Sequence, residues 1–109
     1  MPTILRREIT DGQQVQGVDE KIYYQLITTP WGGSPAAPVI TGFKKDASGA
    51  WVDVTATIFP INTPSVSGDN LVLPRLEGLV EGGEYRIEMR WTHPGGSLVE
   101  AYALLSGQR

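Results

Sequence analysis

Leu79-Val80-Glu81-Gly82-Gly83-Glu84-Tyr85 runs directly into Arg86-Ile87-Glu88-Met89-Arg90-Trp91. A leucine, a glycine pair and a tyrosine lead into a run in which apolar and charged residues alternate. With a side-chain period of two, Tyr85, Ile87, Met89 and Trp91 share one face of a strand, and Glu84, Arg86, Glu88 and Arg90 share the other. The segment therefore reads as a strand over residues 84–92, with the first set in the core. Its entry corner is held by the tyrosine, whose ring enters the core while its hydroxyl bonds back to the turn. Leu79, Gly82 and Tyr85 are the expected structural corner.

The neighbouring segments carry related patterns. His93-Pro94-Gly95-Gly96-Ser97 is a hairpin loop, and residues 98–105 form the last strand. Residues 70–73 make a short strand ended by Pro74, and residues 75–79 a half turn. Residues 51–59 alternate, with Val52, Val54, Ala56 and Ile58 expected to face the core. Before them, a strand over 39–44 ends in the tight turn Asp46-Ala47-Ser48-Gly49. Residues 21–29 place Ile22, Tyr24 and Leu26 on one face and Tyr23, Gln25 and Ile27 on the other. Both faces are fairly apolar, so this strand is central or turns one face to a partner. Residues 3–9 form a first strand or arm, Gln13 to Gln16 is a polar stretch between glycines, and 30–38 and 60–69 are loops rich in proline, glycine and serine. About seven strands with turns at sandwich spacing result, and no helix is expected. The fold class is all-β: an immunoglobulin-like antiparallel β-sandwich with an N-terminal arm. Residues 1–18 are read as arm, first strand and loop, and 19–109 as the sandwich of a single domain.

Composition narrows the function. The 109 residues suit one domain with one core. There is no cysteine, hence no disulfide, thiolate nucleophile or thiolate ligand. The formal charge is −3, and Arg6-Arg7 and Lys44-Lys45 are isolated basic pairs. No nucleic-acid partner is expected, because displacing counterions needs clustered Lys and Arg. No membrane partner is expected either, since the apolar stretches are too short to span a bilayer. Residues 1–7 are not read as a signal peptide, as no apolar run follows the basic pair.

Groups able to do chemistry are sparse. His93 is the sole histidine and sits in a turn. The carboxylates scatter without the spacing of a metal site or a catalytic pair. Gly32-Gly33, Gly82-Gly83 and Gly95-Gly96 match neither a phosphate-binding loop nor a dinucleotide fingerprint, and no Gly-x-Ser-x-Gly elbow exists. The expectation is a protein that is not an enzyme, with no catalytic residue, cofactor or metal. Glu88 between Arg86 and Arg90 reads as a surface charge ladder.

Contact residues are the remaining candidates. Trp31 lies in a loop unable to bury it regularly. It is a lid on one end of the sandwich, an aromatic anchor at a protein contact, or part of a sugar-stacking platform with Trp51 or Tyr23. Ile61 and Val66 in the second loop, and Ile4, Leu5, Arg6 and Arg7 in the arm, are the other interface candidates. A first strand of this kind is suited to β-augmentation.

The corner is similar to the fibronectin type III pattern of leucine, turn glycine and tyrosine. The whole layout resembles the small immunoglobulin-like structural proteins of tailed bacteriophages, of the fibre–tail adaptor or decoration type. The similar parts are Leu5-Arg6-Arg7, Asp53-Val54-Thr55, Ser67-Gly68-Asp69-Asn70-Leu71-Val72-Leu73, the corner, Thr92-His93-Pro94-Gly95-Gly96 and Glu100-Ala101-Tyr102. The resemblance implies a non-enzymatic virion component, assembled in the host bacterial cytoplasm in many copies as a homo- or hetero-oligomer. Its arm and loops would bind neighbouring capsid, neck or tail proteins. A carbohydrate-binding module using exposed aromatics is the alternative.

Overall fold

A computed structural model describes residues 4–8, 14–29 and 32–108, with the backbone alone for 4–8 and 14. The chain is an all-β sandwich of the immunoglobulin-like kind. Among the described residues there are nine strands: β1 (Ile4–Glu8), β2 (Gln14–Gly17), β3 (Gln25–Ile27), β4 (Ala36–Lys45), β5 (Trp51–Asp53), β6 (Ser65–Ser67), β7 (Asn70–Val72), β8 (Glu84–Thr92) and β9 (Leu98–Gln108). One sheet has the order β1-β9-β8-β4-β5, with β2 also on β9; the other has the order β3-β7-β6.

The hairpin of β8 and β9 is the spine of the larger sheet. It is paired from Glu84 opposite Ser106 to Thr92 opposite Leu98. Alternation on β8 works as expected: Tyr85, Ile87, Met89 and Trp91 are all buried. β4 lies on the other side of β8, with a register shift between Ala36 and Val39. The β4–β5 turn is built as its sequence requires. Asp46 Oδ1 accepts from the backbone N–H groups of Ser48 and Ala50 and from the Ser48 hydroxyl. Gly49 takes a φ of 89°, open to a residue without a Cβ.

The strand expected over 51–59 stops at Asp53, and one helical turn, α1 (Thr55–Ile58), replaces its second half. Asp53 Oδ1 accepts from the Thr55 N–H at 2.9 Å and from its hydroxyl at 2.7 Å, which bends the chain out of the sheet. Val52 and Ala56, expected inside, are exposed, whereas Ile58 and Phe59 are carried into the core.

Two segments read as irregular are strands. The polar stretch ending at Gln16 supplies β2, and the second loop supplies β6. These account for the nine strands among the described residues where about seven were expected. β1 and β2 both run parallel to β9, over Leu98–Tyr102 and Leu105–Gln108 respectively, so the larger sheet is mixed. In the smaller sheet Leu26, Leu71 and Val66 lie in one cross-strand row. Before β3, Ile22 forms an isolated antiparallel bridge to Leu76, where a half turn was expected. The core between the sheets includes Ile40, Ile58, Leu71, Leu76, Tyr85 and Trp91, each at most 2% exposed.

Candidate functional site

The corner is structural and is built as read. Leu79 and Tyr85 are buried, Gly82 adopts a φ of 76°, and the Val80 N–H donates to the Tyr85 hydroxyl at 2.8 Å. The end of β9 is stitched to it, since Gly82 N–H donates to Gly107 O and Gly107 N–H to Gly83 O, each at 3.0 Å.

A second anchor lies at the side of the sandwich. Gln16 is fully buried on β2. Its Nε2 donates to the Leu76 carbonyl at 2.9 Å and the Glu20 carbonyl at 3.0 Å, and its Oε1 accepts from the Tyr24 hydroxyl at 2.9 Å. A glutamine in a stretch read as a polar connection thus ties β2 of the larger sheet to the segments that flank β3 and follow β7. Burial, and then the Glu20 charge, raise the Tyr24 phenol above its usual range.

The interface candidates fall on separate elements. The backbone of Ile4, Leu5, Arg6 and Arg7 forms β1, an edge strand on β9. Ile61 is 65% exposed and borders a hollow of about 160 Å³ shared with Tyr23, Pro60 and Thr63. Val66 is 41% exposed on β6, the outer strand of the smaller sheet. Trp31 lies outside the described residues. The hollow brings Tyr23, which the sequence offered for a sugar platform, together with Ile61.

On the outer face of the larger sheet the charges pair locally. Arg86 Nε is 3.0 Å from Glu88 Oε2, and its guanidinium carbon stands 4.1 Å from the Tyr102 ring centre. Arg90 reaches Glu100 on β9, at 4.0 Å. The ladder therefore runs across strands as well as along β8. Trp51 on β5 has the Lys45 ammonium 5.5 Å from its ring centre, so a cation occupies its face. Tyr23 belongs to the approach to β3 in the other sheet, and Trp91 is in the core. Trp51 and Tyr23 thus lie on different sheets, and a platform of either with Trp31 involves a residue outside the described ones.

His93 is a turn residue: its Nδ1 accepts from the Gly95 N–H at 2.9 Å. Among the described residues no group of three or more His, Asp or Glu side chains is placed to hold a metal ion. Among them no helix is long and apolar enough to cross a membrane.

No family model matches the chain. No curated protein matches it. Among solved structures it is similar to InlP of Listeria monocytogenes, with a TM-score of 0.47 and 11% identity. That match covers 94% of this chain and 27% of InlP, so this chain spans well under a third of that one.

Proposed function

We propose that the chain is a non-enzymatic structural virion protein of a tailed phage, an adaptor or decoration subunit that binds neighbouring head, neck or tail proteins. The observation that supports this reading most is the placing of β1. It is an edge strand whose pairing within the chain is to β9 alone, leaving its other side unpaired among the described residues. Such an edge is suited to strand pairing with a neighbouring subunit. Exposed Ile61 and Val66 supply separate apolar contact points on the smaller sheet and its loop. The resemblance to phage immunoglobulin-like proteins gives these surfaces their partner class.

Particle incorporation tests it. Deleting residues 1–9 is expected to abolish incorporation. Because the deletion also uncovers β9, Ile61→Asp serves beside it, changing a side chain that is 65% exposed. Reduced incorporation of Ile61→Asp with an unchanged melting temperature supports the contact role. Full incorporation of both variants excludes it.

A further inference from the structure

We propose that the free edge of β3 accepts a single extended strand of a partner protein, one with aliphatic side chains at alternate positions. In β3 the pairing to β7 uses alternate residues. The Leu73 N–H donates to the Tyr24 carbonyl at 2.9 Å, Leu26 lies opposite Leu71, and the Thr28 N–H donates to Asp69 O at 3.0 Å. Tyr23, Gln25 and Ile27 therefore turn their N–H and C=O groups to the other side, where no described residue pairs with them. Their side chains are exposed, Tyr23 at 65% and Ile27 at 60%. From Ile22 to Thr29 there is no charge and no proline, and the β3–β7 register has no bulge. Although β3 itself is only three residues long, the charge, proline and bulge that guard many edge strands are missing from this stretch.

Behind this edge the two sheets leave an apolar crevice of about 160 Å³. Tyr24, Leu26 and Leu73 line one side, and Ala103 and Leu105 the other. A strand added to β3 would send every second side chain into this crevice.

The layout selects the occupant. The larger sheet continues past β9 as β1 and β2, so an added strand would lie over them as β3 lies over the hairpin. A second copy docking by its own β3 would bring its larger sheet into the layer that β1 and β2 already fill. The arm of a second copy is also unsuited. Arg6-Arg7-Glu8 carries charge on both faces of a strand, so either register would place a charge in the apolar crevice. A neutral aliphatic strand from another protein meets neither obstacle. This assignment does not depend on the virion reading.

The test is a titration of the isotope-labelled full chain with a blocked peptide of alternating valine and threonine, followed by amide NMR. The amides of Tyr23, Gln25 and Ile27 are expected to shift and to exchange about tenfold more slowly with peptide bound, as strand addition protects them. N-methylating one alternate set of peptide amides should abolish binding, while methylating the other set should leave it. Absent shifts at those three amides, or equal effects of the two methylation patterns, overturn the proposal. Sedimentation of the free chain is expected to show a monomer. A dimer that Gln25→Lys dissociates would also overturn it, by making a second copy the occupant.

Discussion

The hydroxyl of Tyr85 accepts a hydrogen bond from the backbone N–H of Val80, 2.8 Å away and five residues earlier. The Gly83 N–H, in turn, donates to the Val80 carbonyl at 2.9 Å. Val80 is therefore held on both its polar groups, although its side chain is 55% exposed. The corner joins the smaller sheet's exit to the start of β8 and to the end of β9.

Tyr85→Phe keeps the ring in the core and removes the acceptor. The expected loss is about 1 kcal/mol, or a fall of about 4–8 °C in melting temperature for a domain of this size. Differential scanning calorimetry measures it. An unchanged melting temperature would show that water replaces the hydroxyl at no cost.

Gln16→Leu should be costlier. It preserves bulk but strands the buried Leu76 carbonyl and leaves the half-buried Tyr24 hydroxyl without its acceptor. The expected destabilisation is about 2–3 kcal/mol. Urea denaturation should show a lower midpoint with the slope unchanged.

Tyr24 predicts a loss of stability in alkali. Its folded phenol titrates above the ordinary tyrosine value, first through burial and then through Glu20. Between the unfolded and folded values the unfolded chain has released a proton that the folded chain retains, so stability is lost as pH rises through that window. Tyr24→Phe should flatten this part of the curve, and Glu20→Gln should lower the phenol's titration midpoint. Absorbance titration of the phenols and melting across alkaline pH check the two outcomes.

Gly42 on β4 faces α1. A Cβ there would overlap Ile58 Cδ1 and stand 3.0 Å from Ile58 Cγ1. Ile58 is fully buried, so it has nowhere to retreat. Gly42→Ala is expected to cost about 1–3 kcal/mol. Ile58→Val removes the overlapping methyl, and the double variant should be more stable than the sum of the two losses implies. Strict additivity would mean that the backbone, rather than Ile58, absorbs the strain.

Ala37 occupies the register shift of β4 with a φ of 51°, in the left-handed region. Ala37→Gly should raise stability by about 1 kcal/mol, because the native strain exceeds the added entropy of glycine when unfolded. Thermal unfolding decides, and a lower melting temperature would contradict it.

The strand over residues 84–92 and its tyrosine corner were legible in the sequence. One face of that strand is buried and the other is not, so its side chains had to alternate, and the turn glycine and the tyrosine lie within one short segment. The Asp46 turn was legible for the same local reason. Residues 51–59 show where local pattern fails: four residues of alternation fit a strand end and a single helical turn equally well, and the Asp53–Thr55 bonds select the turn. Nothing near Gln16 announces its burial, because its partner Leu76 is 60 residues away. The parallel pairing of β1 and β2 with β9, and the open edge at β3, likewise arise between segments distant in the chain. Side-chain period and turn chemistry are properties of neighbouring residues and are written in their order. Strand partners, buried polar bonds and open edges depend on which distant segments meet, and packing of the two sheets settled those.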